Sequence, residues 1–555
     1  MQNRDAREAG AGDPPRRSAA WPGAAALLLV ALALRLIHLD HTPVYDEFYH
    51  LLAARSWIEH HTLSIGGGTY TRAAPFTILV AWSMRWFGDD LAAARLPALA
   101  AGALLVPLVF LWVRATAGER AGWVAGLLVA VSPTLIFLSQ TVRFYTLQSL
   151  CVLLGAVGVF ALADGRVRGA RAGWAAAGTV AVFGFALMLQ ITTAIAVFAV
   201  LVWAAARVLY RLPSLPARGR RVIVRIAIGI VVAGALLAWF QRGRVAGLWQ
   251  TFRVPPYWEA GMVSNHRFYF YWFMDQYPTL WSLFPLAALW AAIRRPAPAV
   301  FAAVVFTVAI VVHTLAGPKE ARYIAYTLPF FFIVWGIAVA ELLPALTGLA
   351  RGAARALVGV RAERTGAAAF LAGLFGFVLV SNPAFPLTYR MLTRTDAQWR
   401  GPAGYRGNAD WPAALAVLRP LARRSDVVLT DSGVKALYYL GRYDYEINAS
   451  NLRETHTRRE FAVDPRTGRR VVGSAAAVRR IMACYPTGLV IAERRRWMRS
   501  PRIVPPAVVA AVQAQARPVA LPRRSRLVAY EWRHAVLPGA HCGRLPGATG
   551  DGEGG

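Results

Sequence analysis

The first apolar run of the chain leads directly into Pro43-Val44-Tyr45-Asp46-Glu47-Phe48-Tyr49-His50. This octapeptide places two adjacent carboxylates, Asp46 and Glu47, at the end of a candidate membrane-spanning helix. A charged pair at a membrane boundary is costly unless it is solvated, paired with cations or used in function. The aromatic residues around the pair suit the interfacial zone of a bilayer. From this stretch alone, a solvated loop with aromatic anchors and a functional acid pair both stay open.

The composition indicates a multi-pass membrane protein. The chain has 555 residues, of which 57% are hydrophobic, and its mean hydropathy is +0.41. Many apolar runs approach the roughly 20 residues that a helix needs to cross a bilayer. The net charge of +32 would suggest nucleic-acid binding in a soluble protein. Here many arginines fall in short gaps between apolar runs, which is typical of cytoplasmic loops. We therefore predict membrane lipids as partners and no nucleic acid.

Eleven apolar runs are predicted to be spans. They are 21–39, 97–113, 122–138, 145–163, 173–189, 192–209, 223–240, 277–293, 297–315, 323–341 and 367–381. A twelfth run, 75–88, is short and carries Arg85. The arginine-rich gaps fall on one side of the membrane only if this run does not cross. We therefore predict a juxtamembrane or re-entrant helix at 75–88, lying at the interface.

This topology places the acid pair and everything after residue 381 on the outer face of the cell (inner) membrane. The predicted fold class is a multi-pass α-helical membrane protein with a C-terminal soluble α/β domain, which is indicated by alternating strand and helix patterns. The predicted divisions are a cytoplasmic tail (1–20), a transmembrane catalytic domain (21–381), an extracytoplasmic α/β domain (382–545) and a disordered tail (546–555). Cys484 and Cys542 are expected in an oxidising compartment that permits a disulfide.

Other outer loops bring cations to the same face. Arg143 lies in one of these loops, and Lys319 and Arg322 lie in another. Arginine and lysine can stabilise the charge that develops on a departing phosphate. A carboxylate can accept the proton of an acceptor hydroxyl as general base, or it can hold a divalent cation. Group transfer from a lipid-linked phosphate donor would therefore explain the acids and the cations together, with the need for a divalent cation left open.

Five short motifs occur between about residue 35 and residue 341 in an order shared with a known superfamily. They are Tyr45-Asp46-Glu47, Arg72-Ala73-Ala74-Pro75-Phe76, Arg95-Leu96-Pro97, Ser139-Gln140-Thr141-Val142-Arg143-Phe144-Tyr145 and Lys319-Glu320-Ala321-Arg322-Tyr323. In this order they resemble the GT-C superfamily of polyprenyl-phosphate-dependent glycosyltransferases. The branch they resemble holds protein O-mannosyltransferases, the lipid A aminoarabinose transferase and bacterial family-39-like enzymes.

The resemblance implies a GT-C-like domain of about eleven spans and a membrane glycosyltransferase of the cell envelope. Such an enzyme moves a hexosyl or pentosyl sugar from a polyprenyl-phosphate donor to an acceptor hydroxyl on the outer face. The acceptor stays open between a lipid, a glycan and a protein. Some members carry a further aspartate after the third span. This chain has no carboxylate in that region, so a two-carboxylate metal site is not expected.

The candidate catalytic residues are Asp46 and Glu47. Asp46 is the predicted general base, whereas Glu47 could assist it, bind a metal or pair with an arginine such as Arg55. The predicted substrate-binding residues are His50, Arg143, Tyr145, Lys319, Arg322 and Tyr323. The competing interpretations are an interfacial histidine, a snorkelling Arg143, and cations neutralised by Glu320. The alternative function is a transporter or flippase of a polar lipid, which should place its charges near the bilayer midplane.

Overall fold

The computed structural model describes residues 20–214, 266–360, 363–393, 409–454 and 460–535, with a few separate positions. These positions are 216, 217, 221, 239, 242, 243, 246, 247, 249 and 542. The predicted tail at 546–555 and, apart from single positions, the predicted tail at 1–20 and the predicted span at 223–240 lie outside the described residues.

Seven helices in the described part of the chain are long and apolar enough to cross a membrane. They are Leu91–Ala117, Tyr145–Ala163, Ala170–Leu189, Thr193–Arg211, Pro296–Leu315, Ala321–Leu357 and Glu363–Ser381. The sixth of these begins as a 3-10 segment, Ala321–Thr327, and continues as the α-helix Leu328–Val358. Shorter helices are Ala20–Leu36, Phe268–Gln276, Pro278–Ser282, Phe284–Arg294 and Ala384–Thr393. All of the long helices overlap predicted spans, and the count of eleven stays a prediction.

The predicted span 122–138 is broken in the structure. It consists of Glu119–Ala130 and Pro133–Ser139, which meet at an angle of 59°. Pro133 begins the second helix, where a missing backbone N–H costs nothing. The fully buried Arg35 donates to the carbonyl of Ala130 at 3.3 Å and to Ser139 Oγ at 3.1 Å. Its guanidinium therefore satisfies a carbonyl at the end of the first helix, where no helical partner is left.

The helix Ala74–Phe87 has 14 residues, which is fewer than the roughly 20 required for a full crossing. Phe76 and Val80 on its inner face are buried, whereas Trp82 and Trp86 are exposed and stack with their ring centroids 6.4 Å apart. Exposed tryptophans suit the headgroup region of a bilayer. These features agree with the predicted interfacial helix at 75–88.

The C-terminal region contains a seven-stranded mixed sheet, and the loop between the helices Glu47–His60 and Ala74–Phe87 contains a separate hairpin. The hairpin strands are β1 (Ser64–Ile65) and β2 (Gly68–Thr69). The sheet strands are β3 (Val427–Thr430), β4 (Tyr445–Ile447), β5 (Phe461–Val463), β6 (Arg470–Val472), β7 (Thr487–Glu493), β8 (Arg517–Val519) and β9 (Leu527–Arg533), in the spatial order β5-β6-β4-β3-β7-β9-β8. Strands β6, β4, β3 and β7 run parallel, and the outer pairs are antiparallel.

Helices cover both faces of this sheet, as expected for parallel strands that are buried on both sides. One core forms with Leu418 and the buried Trp411, and the other with Ile481 and Val512. The helices around the sheet are Leu415–Arg424, Gly433–Leu440, Ala449–Glu454, Ala475–Cys484, Arg494–Arg499 and Pro506–Gln515. The predicted C-terminal α/β architecture is thereby confirmed.

The β1–β2 hairpin is hydrogen-bonded to the turn between β5 and β6. Gly67 N donates to Thr467 O at 2.9 Å, and Thr69 N donates to Pro465 O at 3.2 Å. A β-carbon on Gly68 would lie 2.5 Å from the backbone N of Gly468, so the two backbones approach in a way that only glycine allows. We call this contact the glycine clasp. It joins the loop that follows the acid pair to the C-terminal domain.

Candidate active site

A cavity of about 240 Å³ lies between loops of the helical domain and the C-terminal domain. Its lining residues are Asp46, Tyr49, Thr69, Tyr70, Thr71, Arg72, Arg143 and Arg466. Arg143 comes from the loop before the helix Tyr145–Ala163, and Arg466 comes from the β5–β6 turn. The cavity therefore combines residues from three distant parts of the chain.

Asp46 precedes the helix Glu47–His60 at its N-cap position, but its side chain does not cap the helix. Its Oδ2 lies 3.0 Å from Arg322 Nη1 and 3.5 Å from Arg143 Nη2. The side chain keeps 29% of its surface exposed. Burial raises the pKa of the Asp46 carboxyl, but the attraction of Arg143 and Arg322 outweighs burial and holds this pKa well below its usual range. Asp46 is therefore ionised at neutral pH.

Arg143 is held in place by the backbone and by aromatic neighbours. Its Nη1 donates to the carbonyl of Asp46 at 3.3 Å, and its Nη2 donates to the hydroxyl of Tyr145 at 3.3 Å. The guanidinium carbon lies 5.1 Å from the ring centroid of Phe144. Its buried Nε has no hydrogen-bond partner among the described residues. These contacts fix the Arg143 guanidinium in the cavity lining, and Tyr145 orients it through Nη2.

The predicted cations Lys319 and Arg322 have different surroundings. Arg322 contacts Asp46, lies 3.9 Å from Glu320, and has its guanidinium carbon 5.7 Å from the ring centroid of Tyr323. The buried Lys319 Nζ donates to the carbonyls of His313, Thr314 and Ala316. These carbonyls lie at the C-terminus of the helix Pro296–Leu315, where a cation is stabilising. Lys319 therefore caps a helix and does not line the cavity. We replace its predicted role in phosphate binding with this capping role.

Glu47 has no surface in the cavity lining and is fully buried against Arg95. Arg95 Nε donates to one oxygen of the carboxylate and Arg95 Nη2 to the other, each at 3.0 Å. The same carboxylate accepts from Val44 N at 2.8 Å and Val142 N at 2.7 Å. Arg55, the partner suggested from the sequence, pairs with Asp89 instead. Glu47 therefore anchors the loop that carries Arg143.

His50 lies one helical turn after Asp46, but it is not part of the cavity lining. Its Nδ1 is 2.8 Å from Thr77 Oγ1, and its ring packs edge-on against Tyr70 and Phe144. Burial, together with the nearby Arg143 and Arg72, holds the pKa of His50 well below its usual range. A neutral His50 supports the wall behind the cavity.

The residues at the cavity do not fit a divalent cation. Among the described residues there is no group of three or more His, Cys, Asp or Glu side chains that could hold a metal ion. Asp46 contributes one carboxylate, and arginines surround it. Hard cations require several oxygen ligands, whereas this arrangement favours an anion.

Sequence reasoning missed part of the lining. Arg72 entered only as a member of a matched motif, and Tyr49, Tyr70 and Arg466 were not identified as site residues. Arg72 and Tyr70 have a detectable signal in the sequence, because Arg72 begins the motif Arg72–Phe76 and Tyr70 lies two residues before it. Arg466 has none, since it lies 420 positions after Asp46 and its approach depends on the glycine clasp.

Structures with the same fold include ArnT and an archaeal oligosaccharyltransferase. The chain is 14% identical to ArnT from Cupriavidus metallidurans bound to undecaprenyl phosphate, with a TM-score of 0.58 and coverage of 93% of this chain and 98% of that one. ArnT in the apo state gives the same TM-score at 16% identity, with coverage of 92% and 97%. The oligosaccharyltransferase AglB from Archaeoglobus fulgidus, in complex with an inhibitory peptide and a dolichol-phosphate, gives 0.50 at 14% identity, covering 76% of this chain and 64% of that one.

These likenesses show the fold, which is the predicted one: a multi-pass helical architecture with a C-terminal α/β domain. No protein-family model matches the sequence. No curated protein matches it either.

Proposed function

We propose that this protein is a membrane glycosyltransferase that uses a polyprenyl-phosphate-linked sugar donor and an acceptor hydroxyl on the outer face. The observation that carries the proposal is the Asp46 carboxylate, which lies in a cavity lining and is held between Arg143 and Arg322. ArnT, which shares the fold, was crystallised with undecaprenyl phosphate. A transporter or flippase is less well supported, because the clustered charges lie in loops at one end of the helices.

In the proposed reaction, the acceptor oxygen attacks the anomeric carbon of the donor sugar. The bond from the acceptor oxygen to that carbon forms as the bond from the carbon to the phosphate oxygen breaks. Asp46 accepts the proton of the acceptor hydroxyl, and polyprenyl phosphate leaves with the electron pair of the broken bond. Arg143 and Arg322 stabilise the negative charge that grows on the leaving phosphate. Arg72, in the same cavity lining, adds a third cation.

The other predicted residues have supporting parts in this proposal. Glu47 positions the Arg143 loop through Val142 N, and Tyr145 orients the guanidinium. Tyr323 lies beside Arg322, and His50 supports Tyr70 from behind. The acceptor can be a lipid, a glycan or a protein, and the reaction as written requires no metal cofactor.

The proposed orientation places the C-terminal domain outside the cytoplasm of the cell. Cys484 and Cys542 form a disulfide with Cα atoms 5.5 Å apart, and Cys151 is buried. Such bonds persist in oxidising compartments. We expect a membrane-impermeant maleimide to label the protein on cells with an exposed inner membrane only after reduction. Labelling without reduction, or labelling confined to inverted vesicles, would contradict this orientation.

Arg322→Ala is expected to weaken polyprenyl phosphate binding and to lower turnover of a sugar donor by about 100- to 1,000-fold, as for the loss of an oxyanion donor. Arg322→Lys should recover only part of the activity, because lysine keeps the charge but not the planar fork. Binding is measured with undecaprenyl phosphate and turnover with polyprenyl-phosphate-linked sugars. Arg55→Ala is the matched control, since Arg55 also pairs with an aspartate, Asp89, outside the cavity lining. If Arg322→Ala keeps normal binding and turnover, the phosphate site lies elsewhere.

A further inference from the structure

The cavity has a second part whose chemistry differs from that around Asp46. Arg466 lines this part, but its charge is balanced by Asp464 through contacts of 3.0 Å from Nε to Oδ1 and 3.2 Å from Nη2 to Oδ2. Asp464 is almost fully buried, whereas the Arg466 side chain keeps 39% of its surface exposed. The guanidinium therefore presents donors to the cavity with little net charge.

Aromatic rings and hydroxyl groups surround this guanidinium. Its carbon lies 5.1 Å from the ring centroid of Tyr49, which stacks on Tyr70 at 5.1 Å with an angle of 20° between the rings. Thr69 and Thr71 are exposed and line the same cavity. The contacts thus lead from Arg466 through the two tyrosines towards Arg143 and Asp46, whose charges act on Tyr70. This side of the cavity offers hydrogen-bonding groups rather than excess positive charge.

A neutralised guanidinium is a poor ligand for phosphate, but a paired arginine and aspartate suit the hydroxyl groups of a sugar ring. Specificity in such cavities comes from a few placed polar groups beside aromatic walls. We propose that Arg466, oriented by Asp464, binds hydroxyl groups of a sugar ring in the cavity, so that the C-terminal domain supplies sugar recognition. This inference rests on the proposed glycosyltransferase function. The ring belongs either to the donor or to a sugar on the acceptor.

The glycine clasp fixes Arg466 relative to the membrane domain. The hydrogen bond from Thr69 N to Pro465 O joins residues that directly flank the cavity, since Thr69 and Arg466 both line it. From inside the C-terminal domain, the hydroxyl of Tyr443 donates to Thr467 Oγ1 at 2.9 Å. The turn is therefore supported on both sides. A binding group needs this support, because recognition is lost when it is loosely positioned.

The test measures KM and kcat of Arg466→Ala and Arg466→Lys with a panel of polyprenyl-phosphate-linked hexoses and pentoses, together with binding of sugar-free undecaprenyl phosphate. Arg466→Ala should raise the KM of the donor or of the acceptor by about 10- to 100-fold, the effect of losing a hydrogen bond from a charged group. Binding of the sugar-free lipid should stay unchanged, and Arg466→Lys should recover part of the loss. A rise in the donor KM assigns the contact to the donor sugar, and a rise in the acceptor KM assigns it to an acceptor sugar.

Arg480→Ala is the matched control. Arg480 pairs with Glu460 and lies over the Phe461 ring, in the same domain but outside the cavity lining, so its KM values should stay normal. The inference is overturned if Arg466→Ala changes neither KM, or if it weakens binding of the sugar-free lipid as much as that of the donor. Absence of turnover by the unaltered protein overturns the proposed function and this inference together, whereas turnover that Arg466→Ala leaves unchanged overturns the inference alone.

Discussion

Asp46→Asn is expected to lower the rate of sugar transfer by about 100- to 10,000-fold, the range for loss of a general base. The substitution keeps the size of the side chain but removes the anionic acceptor. It should not weaken binding of undecaprenyl phosphate. In the unaltered protein Arg143 and Arg322 pair with Asp46, and in the variant both become available to the phosphate. Retained or tighter lipid binding with lost turnover is therefore the expected signature. Normal turnover by a folded Asp46→Asn variant would remove Asp46 from the mechanism.

The low pKa of Asp46 has a consequence for the pH dependence of this activity. Because the folded pKa lies below the unfolded one, the group stabilises the fold above the unfolded pKa of about 4, and this stabilisation is lost as the pH falls further. In the free enzyme, Asp46 should cause no decline of kcat/KM between pH 7 and pH 5. A bound phosphate competes for Arg143 and Arg322, which raises the pKa of Asp46 and makes it a stronger base. We therefore expect any acidic limb in kcat at a higher pH than in kcat/KM.

Glu47→Gln is expected to destabilise the protein by about 3–5 kcal/mol, the usual cost of removing one partner of a buried ion pair. Neither side chain of the Glu47–Arg95 pair is exposed, so the substitution leaves a buried guanidinium without its counter-charge. Arg95 also donates to the carbonyls of Leu39 and His41, which ties it to the segment before the acid pair. Thermal unfolding of the purified protein and the yield of folded protein would both report the loss.

The exposed pair of Arg55 and Asp89 is the control for this prediction. Its side chains are 30% and 59% exposed, and surface pairs contribute only about 0–1 kcal/mol. Arg55→Ala should therefore unfold at nearly the same temperature as the unaltered protein. The double variant Glu47→Gln with Arg95→Met should cost less than the two single changes added together. If Glu47→Gln is as stable as Arg55→Ala, the anchoring role of Glu47 is wrong.

Local sequence patterns predict a candidate site around Asp46 and Glu47, but they do not predict that these two acids have different surroundings. Each loop that carries a candidate site residue lies next to an apolar run, so its depth in the membrane can be predicted from hydropathy and arginine placement. Asp46 and Glu47 are adjacent, and consecutive residues at a helix start point about 100° apart. One therefore turns to the cavity and the other to the buried Arg95. Which of the two acids faces the cavity depends on the packing of the helix Leu91–Ala117, which carries Arg95.

Lys319 and Arg322 show a second limit of prediction from the sequence. Their spacing of three residues would place Lys319 and Arg322 on one face of a helix. The stretch before Ala321 is not helical, and Lys319 turns back to the end of the helix Pro296–Leu315. Arg466 illustrates a third limit, because a turn in the C-terminal domain reaches the cavity only through contacts between distant backbones. Long-range contacts of this kind leave no local pattern to detect.

The most direct test of the central claim follows radiolabelled polyprenyl-phosphate sugars with the purified protein in lipid vesicles and a membrane extract as the source of acceptors. The proposed function predicts that at least one donor is consumed, with polyprenyl phosphate released and label transferred to an acceptor. It also predicts that Asp46→Asn binds undecaprenyl phosphate but transfers no label. If the unaltered protein consumes no donor and instead moves the labelled lipid across the bilayer, the flippase alternative holds and the glycosyltransferase account is contradicted.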